Sequence, residues 1–116
     1  MLLEQFFASM RKGEFKITSC KLCKKKLWPQ CKYCSSCFST TTLRKVQKKG
    51  ILVEFTKSYL KDNEVIFGLV ELSGVRVMGR LFAMSRPPRI GMRVRMTECG
   101  INTGGAVFYN FEPEAE

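Results

Sequence analysis

The sequence predicts a mainly β protein: a short N-terminal helix, a rubredoxin-like zinc ribbon and a C-terminal five-stranded OB-fold barrel. Three observations carry this reading. Five of the six cysteines fall within 18 residues, as two C-x-x-C pairs with a fifth thiol beside them. After Gly50 the apolar residues alternate with period two in five short runs. Composition breaks at the same place: residues 1–49 hold 12 basic and 2 acidic side chains, whereas residues 50–116 hold 8 of each. The basic residues change there from mostly lysine to mostly arginine, which marks two modules.

The helix is expected within residues 1–13. Leu3, Phe6, Phe7 and Met10 recur at helical spacing, and Gly13 stops the run. Its apolar face either packs on its own protein or offers Phe6 and Phe7 to a partner.

The ribbon is expected over residues 14–42. Cys20-Lys21-Leu22-Cys23 and Cys34-Ser35-Ser36-Cys37 lie ten residues apart. Each pair folds as a tight knuckle with both sulfurs on one side, and two facing knuckles supply the four thiolates of a tetrahedral zinc site. The metal ligands are therefore Cys20, Cys23, Cys34 and Cys37. The same thiolates accept mononuclear iron, as in an electron carrier. An iron–sulfur cluster would use the Cys31-x-x-Cys34-x-x-Cys37 run, but position 41 is a threonine and that pattern fails. Cys31 reads as a spare thiol and Cys99 as a small core residue. Few large apolar groups lie between positions 14 and 40, so this stretch depends on metal to fold. A closed four-thiolate site leaves no open position, so the metal is structural.

The barrel is expected over residues 43–116. Ile51, Val53 and Phe55 share one face of its first strand. Val65 to Leu72, Val75 to Leu81, Met92 to Thr97 and Ala106 to Phe111 supply four more. Turns are expected at Asp62-Asn63, Ser73-Gly74, Pro87-Pro88 and Gly104-Gly105. Five short strands without a long helix point to the OB fold. Arg76, Arg80, Arg93 and Arg95 fall on outward faces, and Arg86 and Arg89 in the intervening loop. They form either a phosphate-binding surface or a solvated face that blunts edge pairing.

Several function classes are excluded. The chain has no histidine, which removes imidazole acid–base catalysis, Ser-His and Cys-His nucleophiles and imidazole metal sites. No apolar run is long enough to span a membrane, and the N-terminus does not read as a secretory signal. A cytoplasmic location is expected. The net charge of +10 points to acidic partners or nucleic acid.

The order of helix, four-cysteine ribbon and barrel resembles the acyl-CoA-associated zinc-ribbon/OB-fold family, a domain of formerly unknown function found beside thiolases and HMG-CoA synthases. Met10-Arg11-Lys12-Gly13-Glu14-Phe15 resembles the stretch that leads into its ribbon. Trp28-Pro29 falls where the family has an aromatic-Pro-Pro-Arg stretch. Gly50 to Thr56 is similar to its first barrel strand, Val70-Glu71-Leu72 with Gly74-Val75 to its hairpin. Ile90 to Val94 and Phe111-Glu112-Pro113 resemble its last segments. There are departures: the second proline and the arginine of the ribbon motif are Gln30 and Cys31, and the glycines after each knuckle are Lys24 and Phe38.

The resemblance implies a non-enzymatic scaffold carrying one structural zinc. It implies binding to thiolase-like condensing enzymes, joining acetoacetyl-CoA thiolase to HMG-CoA synthase in the mevalonate pathway, in a hetero-oligomer that contacts CoA. Phe6, Phe7 and Trp28 are the expected partner contacts. Lys24, Lys25, Lys26, Arg93 and Arg95 are the expected contacts to CoA phosphates or to partner charge. The rival reading is a nucleic-acid-binding ribbon and barrel, for which exposed stacking aromatics on the barrel are not evident.

Overall fold

The protein is described by a computed structural model covering residues 2–60 and 63–114. Its elements are α1 (Leu2–Arg11), β1 (Lys16–Cys20), β2 (Lys26–Leu27), β3 (Thr41–Lys45), β4 (Lys49–Leu60), β5 (Asn63–Leu72), β6 (Val75–Leu81), β7 (Arg93–Ile101) and β8 (Val107–Pro113). The architecture is mainly β, as the period-two runs predict. The described residues group into two compact units, 2–46 with 100–107 and 47–99 with 108–114.

In the first unit α1 ends as its sequence dictates. Gly13 takes a left-handed φ of 75° that a Cβ would penalise. Its N–H donates to the Met10 carbonyl at 3.0 Å, and the Glu14 N–H to the Ser9 carbonyl at 2.9 Å, which closes a Schellman cap. The buried face of α1 is Phe6, Ser9 and Met10; Leu3 lies in solvent. β1 is central in an antiparallel sheet of order β2-β1-β3. It pairs along its whole length with β3, from Lys16 opposite Lys45 to Cys20 opposite Thr41. Residues 43–45 therefore close the ribbon sheet, whereas their sequence position had placed them with the barrel. The alternation that starts at Gly50 marks the barrel, and the shorter run before it pairs locally.

The second unit is a closed barrel of order β4-β5-β6-β8-β7, the OB arrangement. β6 and β8 run parallel; the pairs β4–β5, β4–β7 and β5–β6 are antiparallel. Ser73 and Gly74, with φ of 50° and 84°, make the two-residue hairpin between β5 and β6. Of the expected Asp62-Asn63 turn, Asp62 lies outside the described residues and Asn63 opens β5. The barrel core is Leu52, Val65, Val70, Leu72, Val75, Val77, Leu81, Val94, Met96 and Phe111. The inward residue of β4 is Leu52, and Ile51 is exposed. A register irregularity between Leu52 and Glu54 interrupts the simple alternation of Ile51, Val53 and Phe55. Gly79 is where β6 meets β8: a Cβ there would lie 2.6 Å from the Tyr109 carbonyl and against the Phe111 ring.

No helix among the described residues is long and apolar enough to cross a membrane.

Candidate metal centre

Two copies of one backbone device build the site. In the first, the Lys24 N–H donates to the Cys20 carbonyl at 3.2 Å and the Cys20 N–H to the Lys25 carbonyl at 2.9 Å. In the second, the Phe38 N–H donates to the Cys34 carbonyl at 2.9 Å and the Cys34 N–H to the Ser39 carbonyl at 2.8 Å. Fourteen residues on, the same bonds repeat position by position. The backbone then turns at Lys24 (φ 66°) and Phe38 (φ 62°), both left-handed. These are the positions where the resembling family carries glycine, so the knuckle geometry is kept and the side chains bear the strain.

The turn aims N–H groups at sulfur. Leu22 and Cys23 donate to Cys20 Sγ, and Ser36 to Cys34 Sγ, each at 3.4 Å. The four sulfurs of Cys20, Cys23, Cys34 and Cys37 all lie within 4.8 Å of one another. Cys20 and Cys37 are 3.4 Å apart, Cys23 and Cys34 3.6 Å, and Cys23 and Cys37 3.8 Å. A tetrahedron with metal–sulfur bonds of about 2.3 Å has sulfur–sulfur edges of about 3.8 Å. The cluster fits a tetrahedral metal ion and could hold one.

The electrostatics support thiolates on the second knuckle. The Ser39 N–H and hydroxyl, with Cys20 beside them, bring the Cys37 thiol down to about 6. The N–H groups of Cys37 and Ser36 lower Cys34. At Cys23 the Lys25 N–H pulls downward, but Cys20, loss of solvent, Cys34 and Cys37 together push the thiol up to about 11. Four sulfurs this close cannot all ionise unaided, which is the condition a dication relieves. Four thiolates saturate a tetrahedral ion, so such an ion would supply cross-linking, with no open position for a substrate.

Cys31 stays outside the four-sulfur group and is half-buried against Cys20, Leu27 and Cys34. Two residues the sequence reading passed over hold its backbone. Buried Thr18 accepts the Cys31 N–H at 3.4 Å while donating to the Leu27 carbonyl at 2.6 Å. Thr41 Oγ1 donates to the Cys31 carbonyl. Their signal was weak, since threonine is ordinary in a strand. Cys99 is buried in the barrel unit, where loss of solvent raises its pKa.

The expected partner contacts need correction. Phe6 is only 2% exposed, and Trp28 is half-buried, its ring centroid 5.8 Å from Phe6 and 5.2 Å from Phe15. These rings form the core beneath the helix, because an aromatic face meets its first apolar partner within its own unit. Phe7 is half-buried. At the knuckles, Leu22 (71% exposed), Phe38 (78%) and Tyr33 are open to solvent. Lys25 is engaged, its Nζ bonded to Ser35 at 3.2 Å and Ser36 at 2.9 Å across the two knuckles. Lys24 and Lys26 are exposed. Arg93 and Arg95 are exposed on alternate positions of β7, in the other unit. The barrel also exposes Tyr59 and Phe82, aromatics the sequence reading did not anticipate.

No protein-family model matches the sequence, and no curated protein does. Solved structures do. A chain of the Ltp2–ChsH2(DUF35) aldolase superposes with a TM-score of 0.81 at 19% identity, over 95% of this chain and 92% of that one. A protein of unknown function from the DUF35 family of Sulfolobus solfataricus gives a TM-score of 0.68 at 14% identity, over 96% and 84%. At these identities the likeness is one of fold, and it extends over nearly the whole chain.

Proposed function

We propose that the chain is a member of this family and a non-catalytic accessory subunit, held together by one structural zinc on Cys20, Cys23, Cys34 and Cys37. The observation that carries the reading is the likeness to a chain of the Ltp2–ChsH2(DUF35) aldolase, an enzyme named for two components, one of them a DUF35 protein. The absence of histidine agrees with a subunit that leaves the chemistry to its partner. The proposed partners are thiolase-type condensing enzymes in the cytoplasm, with acetoacetyl-CoA thiolase and HMG-CoA synthase as the pair to be joined.

Leu22 and Phe38 offer exposed apolar anchors, and the half-buried Phe7 and Trp28 remain candidate contacts. Lys24 and Lys26 supply charge for encounter with an acidic face or with CoA phosphates. Arg93 and Arg95 are the corresponding barrel charges. Affinity isolation from the native cell, followed by mass spectrometry, tests this. Thiolase and synthase peptides at near-stoichiometric recovery are expected. The exposed Tyr59 and Phe82 favour a second reading, single-stranded nucleic acid stacked on the barrel. Recovery of ribosomal or polymerase subunits in place of condensing enzymes would replace the first reading with that one.

A further inference from the structure

The ribbon gathers five cysteines, and the metal centre uses four of them. The fifth, Cys31, packs half-buried on the cluster of Cys20, Leu27 and Cys34. It therefore lies against the two buried ligands while staying outside the four-sulfur group. Its main chain is clamped on both sides. Thr18 Oγ1 accepts the Cys31 N–H at 3.4 Å, and the Thr41 hydroxyl donates to the Cys31 carbonyl. The Thr41 N–H donates to the Lys32 carbonyl at 3.0 Å, and Tyr33 bridges to Thr40. These bonds engage the backbone and leave the sulfur to its neighbours.

The cysteines differ in what an oxidant from solvent meets. Cys20 and Cys34 are buried in the ribbon and Cys99 in the barrel unit, whereas Cys23 and Cys37 are exposed. With a metal in place, the exposed pair has its sulfur lone pairs committed to that ion. Cys31 keeps its lone pairs and still reaches solvent.

We infer that Cys31 is an oxidant-modification site that opens the metal centre. A peroxide converts it to a sulfenic acid, which then takes the sulfur of Cys20 or Cys34 into a disulfide. The inference rests on the reading that the four cysteines hold zinc. In the first step the Cys31 sulfur attacks one peroxide oxygen. The O–O bond breaks, an S–O bond forms, and the thiol proton leaves with the second oxygen as water. Sulfur loses two electrons and the peroxide gains them. In the second step the ligand sulfur attacks the sulfenic sulfur, the S–S bond forms, the S–O bond breaks and hydroxide leaves. Three thiolates remain, so the coordination is open and the metal passes to a competing chelator. A dithiol reductant reduces the disulfide and, with added zinc, restores the centre. Because the ribbon depends on its metal, oxidation also disorders the knuckles that carry Leu22 and Phe38.

Hydrogen peroxide added to the zinc-loaded full chain tests this, with zinc release read by a chromogenic chelator. Trypsin cuts after Lys21, Lys24, Lys26 and Lys32, so Cys20, Cys23 and Cys31 fall in separate peptides, apart from Cys34 with Cys37. Mass spectrometry should find a disulfide joining the Cys31 peptide to that of Cys20 or Cys34. Zinc release should keep pace with it, Cys99 should stay reduced, and dithiothreitol with zinc should reverse both changes. Cys31→Ser should release zinc about tenfold more slowly at the same peroxide concentration. In the parent chain dimedone, which traps sulfenic acids, should mark Cys31 first, a reading that needs no variant. Zinc loss at the parent rate from Cys31→Ser overturns the inference. So do disulfides confined to the four ligands, or dimedone on Cys23 or Cys37 ahead of Cys31. Elemental analysis before peroxide is added judges the zinc assignment by itself. A chain without zinc sinks that assignment and the release step with it, whereas a zinc-loaded chain with an inert Cys31 sinks this inference alone.

Discussion

Cys31 shows how the neighbours of a residue decide its role. Its spacing to Cys34 equals that of a ligand pair, so the sequence alone allows it into the metal set. Its backbone is fixed between Thr18 and Thr41, and its thiol remains outside the four-sulfur cluster. Cys31→Ser should leave metal content unchanged, and Cys20→Ser should lose the metal and unfold the ribbon; elemental analysis with far-ultraviolet dichroism checks both. Thr18→Val should cost about 1–3 kcal/mol, read by denaturant unfolding of the metal-loaded protein, because two polar backbone groups lose a buried partner. Glu14 gives a test by pH. The hydrogen bond and charge of Lys45, 3.1 Å away, lower its carboxyl pKa. A depressed folded value means that this pair's contribution is present above the unfolded carboxylate range. It is lost as pH falls through the folded pKa. Lys45→Met should move the Glu14 titration upward in a carboxyl NMR series. The four-sulfur cluster was legible in the sequence because C-x-x-C spacing encodes a knuckle directly. Thr18 was not, because its value lies in contacts nine and thirteen residues away.

The elements were legible wherever a local signal coincided with tertiary demand. Gly13 ends α1 in both respects, since the helical apolar run stops where a left-handed residue is required. Gly13→Ala should therefore destabilise the helix–ribbon unit by about 1 kcal/mol, read as a shift in denaturant midpoint at constant slope. The alternation of β6 and β7 also predicted their buried faces, with Val75, Val77, Val94 and Met96 inside and their arginines out. β4 was misread because a register irregularity is a pairing event, invisible in the strand's own pattern. β3 was not anticipated as a strand, because the five residues Thr-Thr-Leu-Arg-Lys carry no strong period. Gly79 likewise reads from sequence as a weak point in a strand. Its reason appears only when Phe111 arrives from more than thirty residues downstream.

At the scale of the whole molecule, the uneven charge is the feature most plainly written in the sequence. Residues 1–49 hold the entire net charge of +10, and the exposed Leu22 and Phe38 lie within that stretch. Charge on this part governs how often a partner is met, whereas apolar anchors govern how long it stays. Phe6 is closed off as a surface anchor because α1 packs it into its own unit's core, so the proposal uses the exposed knuckle side chains instead. Composition could not show this, since a phenylalanine on a short helix looks the same whether covered or bare. The kinetics of binding to a co-isolated condensing enzyme separate the two contributions. Lys24→Glu with Lys26→Glu should slow association and flatten its salt dependence while leaving dissociation nearly constant. Leu22→Ala with Phe38→Ala should speed dissociation, by about tenfold for each 1.4 kcal/mol of lost contact, with association little changed. Lys25 is left out of the charge variant because its bonds to Ser35 and Ser36 tie the knuckles together. If both variants bind like the parent and only Arg93 and Arg95 alter the rates, the docking face is the barrel and the ribbon serves stability alone.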